Sequence, residues 1–145
     1  MIINKLDNDY LIKIYKSSID NINIYDIDDI YTLVKLIIKK IIKNNNLSGN
    51  YQVNIYINDI YGMIIEFNKL EDNHYIDIKI NIYIDSIFLY ESDINYLDNY
   101  NDNIYYYLNK YYLLPKKNNI NLLEVDNIIY GKKVYDILDK GIKIK

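Results

Sequence analysis

The chain has 145 residues and a mass of 17.5 kDa, the size of one domain. Half of it is apolar, which supports a real core and argues against intrinsic disorder. It has no Cys, Arg, Trp or Ala and only one His, so disulfides, thiolate metal sites, thiol nucleophiles and bidentate guanidinium clamps on phosphate or guanine are excluded. Its 17 Lys and 20 acidic residues leave a net charge of −3, well mixed along the chain, which fits a soluble protein better than a polyanion binder.

Ile, Asn and Tyr alone supply 32, 22 and 19 residues, and with Lys they are the residues of A+T-rich codons, so the bias points to an A+T-rich genome. Asp7 and Asp9 interrupt the apolar stretch that a signal peptide would need, and no window approaches the ~18 apolar residues of a membrane span. The expected setting is therefore cytoplasmic and reducing, with no membrane partner.

The pattern predicts a strand over Ile2–Leu6, a turn at Asp7-Asn8-Asp9, and a second strand over Tyr10–Lys16. Residues 27–43 read as a helix, because Ile27, Ile30, Tyr31, Val34, Ile37, Ile38 and Ile41 recur at helical spacing on one stripe. Asp26 is its expected N-cap, Asp28 and Asp29 fill the first turn and lysines crowd the last, a charge order that suits the helix dipole. Asn44-Asn45-Asn46 marks its end.

Val53, Ile55 and Ile57 alternate with polar residues and predict a half-buried strand. A turn at Asn58-Asp59 follows, then a strand to about Phe67, with Gly62 as the expected bulge. A polar loop, Glu71 to His74, leads to Ile76, Ile78, Ile80, Ile82 and Ile84, whose unbroken alternation predicts an antiparallel strand with one wet face. Glu91 to Asn103 reads as an acidic loop and Ile104 to Leu114 as one strand, ended by Pro115. A short strand near Ile120 to Val125 and a small helix over Lys132–Asp139 come next, with Gly141 as its C′ residue and Ile142 and Ile144 in a terminal strand. The expected fold is α+β: a mostly antiparallel sheet of six or seven strands, one long amphipathic helix and a short C-terminal helix. It forms a single domain over 1–145, with a subdivision into 1–70 and 75–145 left open and residues 69–75 as the expected protease-sensitive point.

Few residues carry chemistry. His74 lies in a polar loop with neither a nucleophile nor an orienting group nearby in sequence, and the five serines lie in no nucleophile-elbow context. The four glycines are too dispersed to cradle phosphate. Glu91, Asp93, Asp98 and Asp102 offer oxygen ligands, but not at EF-hand spacing. No catalytic residue, cofactor or metal site is therefore assigned. The tyrosines stand out. Sheet packing is the favoured reading, since Tyr prefers strands and can pack its ring while wetting its hydroxyl. A protein-binding face comes second, with Tyr105, Tyr107, Tyr111 and Tyr112 with Lys110 as the candidate interaction surface, since Tyr is enriched where proteins meet. The same residues could stack single-stranded bases, although the acidic balance argues against nucleic acid.

The segments "MIINKLDNDYLIKIYKSSID", "YGMIIEFNK", "IYYYLNKYYLL" and "NIIYGKKVYDILDKGI" resemble, in order, the opening, first strand pair, aromatic strand and closing strand-and-helix of MecA-type adaptor proteins. The resemblance implies an α+β adaptor without catalysis that hands substrates to the ClpC unfoldase and its protease. Where that family has an acidic linker and a Phe-Asp-Phe-Glu-type phrase, this chain has Lys69–His74 and "DSIFLYESD". The expected function is thus a non-catalytic protein–protein interaction module, an adaptor delivering or regulating a protein partner. The alternatives are a single-stranded nucleic-acid binder using the Tyr-rich strand and a small viral or mobile-element inhibitor of a host enzyme.

Overall fold

In a computed structural model the described residues of the chain form two α-helices and ten strands. The structure describes all residues except 1, 8, 20–22, 24, 93–102, 116–122, 124–126 and 145, and of Ile2 and Leu6 only the backbone. The chain divides into two compact units, Met1–Asp85 and Ser86–Lys145. The division falls after the fifth strand and not at residues 69–75, which join two strands of one sheet.

The first unit is built from β1 (Ile2–Leu6), β2 (Asp9–Tyr15), a 3-10 turn at Lys16–Ile19, α1 (Ile27–Asn45), β3 (Gly49–Asn58), β4 (Gly62–Glu71) and β5 (Ile76–Tyr83). Its sheet has the order β1-β2-β4-β3-β5. α1 carries the chain from β2 to β3, and β4 then inserts between them, antiparallel to both. The helix forms where its caps and stripe dictate. Asp26 accepts hydrogen bonds from the N–H groups of Asp28 and Asp29, and Asn46 closes the far end in the left-handed conformation, which Asn tolerates. Its buried stripe of Ile30, Val34, Ile37, Ile38 and Ile41 packs on Tyr10, Ile12 and Ile14 of β2, Val53, Ile55 and Ile57 of β3, and Met63, Ile65 and Phe67 of β4.

Two features correct the expectations for this sheet. β5 runs parallel to β3, its partner from Gly49↔Ile76 to Tyr56↔Tyr83. Alternation reports one wet face, and an edge strand shows it whichever way it runs. The bulge lies at the other end of β4 from Gly62: the pairing with β3 slips between Asn50 and Tyr51, and Leu70 is the extra residue.

The second unit contains β6 (Leu89–Ser92), β7 (Asn103–Tyr107), β8 (Lys110–Leu114), β9 (Ile128–Ile129), α2 (Lys132–Lys140) and β10 (Ile142–Lys143). Its sheet has the order β10-β7-β8-β6-β9, antiparallel throughout. Val134 and Ile137 of α2 pack with Leu89 and Tyr112, flanked by Tyr105, Tyr107 and Leu114. The single strand expected over 104–114 is a tight hairpin. Leu108 and Asn109 both take positive φ, 46° and 65°, and the pair Tyr107↔Lys110 closes a two-residue turn of the kind that matches strand twist. Gly141 follows α2 with its N–H on the carbonyl of Ile137, but in extended backbone, not the left-handed form expected of a C′ glycine. A Cβ there would sit 2.4 Å from that carbonyl oxygen, so close approach excludes a side chain. All of the strand expected near 120–125 except Leu123, and most of the acidic loop from 91 to 103, lie outside the described residues.

Candidate functional site

The first sheet has two edge strands, β1 and β5, and the longer of them, β5, is the candidate site. After β4 the chain passes the start of β3 through Asp72–Tyr75 and returns along the far side of β3. Gly49, the first residue of β3, permits this crossing: its N–H donates to the Tyr75 carbonyl at 3.0 Å, its φ is +119°, and a Cβ would lie 2.7 Å from the Glu71 carbonyl oxygen. The crossing leaves β5 paired with β3 on one side and, among the described residues, with no strand on the other. An edge of eight residues carries a row of backbone donors and acceptors able to take another strand.

Side chains on the face away from α1 hold this edge in place. Asn81 donates through Nδ2 to Asn54 Oδ1 at 3.1 Å, and Asn54 Nδ2 lies 3.5 Å from Glu66 Oε1. The Tyr56 hydroxyl donates to the same carboxylate at 3.2 Å. The Tyr56 ring stacks on Tyr83, with centroids 5.1 Å apart and planes 11° from parallel. This ladder runs from β4 through β3 to β5 and fixes the register of the edge strand. On the other face Ile78, Ile80 and Ile82 pack against the core, while Tyr75 and Ile76, where the strand begins, are exposed.

The ladder has a measurable signature. Burial, then the neighbouring Glu66 carboxylate and its hydrogen bond, push the Tyr56 phenol up to about 12. The folded chain therefore holds this proton more tightly than the unfolded chain. Stability from Tyr56 is complete below its ordinary value of about 10 and is lost as the pH rises toward about 12. Ring-carbon resonances are expected to show a late-titrating tyrosine that disappears in Tyr56→Phe, beside Tyr25 and Tyr51, whose phenols are also raised, Tyr25 chiefly by the Asp85 carboxylate and Tyr51 chiefly by burial. Titration of Tyr56 at the ordinary value would contradict the ladder.

The expected tyrosine surface is divided by the hairpin. Tyr105 pairs with Tyr112 and Tyr107 with Lys110, so these four share one face. That face packs on α2: Tyr112 is 2% exposed, Tyr105 and Tyr107 flank the same cluster, and Lys133 Nζ lies 5.6 Å from the Tyr112 ring. Tyr111 is on the opposite face with Tyr106, ring centroids 5.1 Å apart. Lys110 is at the hairpin end, in an ion pair with Glu91 at 3.5 Å.

His74 is exposed in the loop between β4 and β5. Asp93, Asp98 and Asp102 lie outside the described residues, and among those described no group of His, Asp and Glu could hold a metal ion. An open polar groove of about 320 Å³ is lined by Asp7, Asp9, Lys69, Leu70, Glu71 and Asp72. There a hydrogen bond to Asp72 raises the Lys69 ammonium while the lysine lowers the Asp72 carboxyl. These groups satisfy one another and assemble no nucleophile with a base. Among the described residues no helix is long and apolar enough to cross a membrane.

Comparison with models of known families, with curated proteins and with solved structures finds no match to this chain. The MecA-type resemblance thus rests on the quoted segments alone.

Proposed function

We propose that this chain is a protein-recognition module without chemistry of its own, and that it binds by taking a strand of another polypeptide onto the edge of β5. The observation that carries this reading is an eight-residue edge strand, unpaired on its outer side among the described residues and held in register by the Asn54–Glu66–Asn81 ladder. Strand addition draws affinity from main-chain hydrogen bonds and specificity from alternate side chains. The isoleucine row on one side of β5 and the Asn81 and Tyr83 positions on the other offer that pattern. Delivery of bound proteins, as the adaptor resemblance implies, is one use of such an edge.

The tyrosine hairpin carries less of this role than its sequence suggests, because Tyr112 is buried and its neighbours pack under α2. A stacking platform for bases needs exposed, co-facial rings, so the nucleic-acid reading draws no support from that face.

Selection of extended peptides from a displayed library tests the proposal. Binders are expected to alternate apolar and polar residues and to lose affinity at least about tenfold for Ile78→Lys, which turns a charge inward on the edge strand, toward the core that Ile78 packs against. Binders that keep full affinity for that folded variant, or a selection that yields none, would overturn it.

A further inference from the structure

Resting on the strand-addition reading, we infer that the strand best fitted to this edge is β5 of a second copy of the chain, paired antiparallel about a two-fold axis at Ile78. β5 carries two charges, Asp77 and Lys79, on the face away from α1. Both side chains are exposed, and neither makes an ion pair or hydrogen bond among the described residues. Their neighbours on β3 are the uncharged Asn50 and Gln52. Two residues apart on a strand, they stand about 6–7 Å from each other.

A strand pairing antiparallel with its own copy places residue 78 + n opposite residue 78 − n when the axis passes through Ile78. Asp77 of each copy then faces Lys79 of the other, giving two ion pairs on the solvated face, and Ile76 faces Ile80 on the helix side. The exposed Tyr75 comes to lie against Asn81. Shifting the axis by one residue is costly in either direction: centred on Asp77 it opposes two carboxylates, and centred on Lys79 two ammonium groups. The two-fold also closes the assembly, because each copy contributes the same edge once. The two five-stranded sheets would join into one of ten strands, with both α1 helices on the same side.

Sedimentation of the full chain over a concentration series, with charge variants, tests this. The wild type is expected to form a concentration-dependent dimer. Lys79→Asp and Asp77→Lys each place like charges opposite one another and should weaken the dimer about tenfold or more. An equimolar mixture of these two variants restores the opposite pairs and should dimerise like wild type, as should the double swap Asp77→Lys with Lys79→Asp. Both positions are exposed, so the variants fold. A wild type that stays monomeric, single variants that dimerise unchanged, or a mixture that does not recover would overturn the inference. A monomer that still takes a library-selected peptide onto β5 sinks self-pairing and leaves strand addition intact, whereas one that takes up neither sinks both.

Discussion

Replacing Gly62 by alanine is expected to destabilise the first unit by about 3 kcal/mol or more and to lower its urea midpoint by more than about 1 M. Gly62 opens β4 opposite Tyr15 of β2 and Asn58 of β3, where three strands meet a turn. Its φ of +124° is a conformation that L residues rarely adopt, and an added Cβ would lie 2.1 Å from the Ile14 carbonyl oxygen and 2.7 Å from the Lys16 nitrogen. Those neighbours are backbone. Lys16 N–H is already committed to the Tyr61 carbonyl at 2.9 Å, so the chain cannot retreat without breaking the pairing that positions β2. Total stabilities of single domains are only about 5–15 kcal/mol, and a change of this size is a large share. A Gly62→Ala protein that unfolds within about 0.5 kcal/mol of wild type would contradict this geometry.

Phe67→Ala is expected to cost about 3–5 kcal/mol, the range for an aromatic removed from a well-packed core. Phe67 is fully buried on β4, stacked on Tyr51 with centroids 4.5 Å apart and tilted 59° against Tyr10 at 6.0 Å. Its loss leaves a void that two strands and α1 would have to collapse around. Leu70→Ala supplies the contrast: three residues along the same strand, at the bulge, Leu70 is 58% exposed and its truncation should stay within about 0.5 kcal/mol. Chemical denaturation of both variants checks the pair. Equal losses would mean that the core does not lie where Phe67 places it.

The helix and the strand pair after it were legible because their signals are local. Seven apolar positions at helical spacing, Asp26 before them and asparagines after them were enough for α1, and alternation was enough for β3. Sheet order and strand direction come from pairings between distant residues. Nothing within Ile76–Tyr83 says that the chain crosses the start of β3 and runs parallel to it. The site was hidden for the same reason: an open edge is a property of the sheet, not of the strand. The hairpin escaped for a local reason. "YYYLNKYYLL" contains no Gly, and Asn109 is the sole conventional turn residue before Pro115, while Leu108 takes φ 46° without the usual signal. That turn decides which rings share a face. In one strand Tyr105, Tyr107 and Tyr111 would share a face, whereas in the hairpin Tyr105 and Tyr107 join Lys110 and Tyr112, and Tyr111 turns away.

Residue-resolved amide exchange across β5 tests the recognition edge most directly, with the protein dilute enough to be monomeric and then bound to a library-selected strand. The outward-facing amides among residues 76–83 are expected to exchange quickly in the free protein and to slow at least about tenfold on binding, while those bonded to β3 change little. Outward amides that are already protected in the free monomer, or that the bound strand leaves unchanged, would show that recognition does not happen at β5.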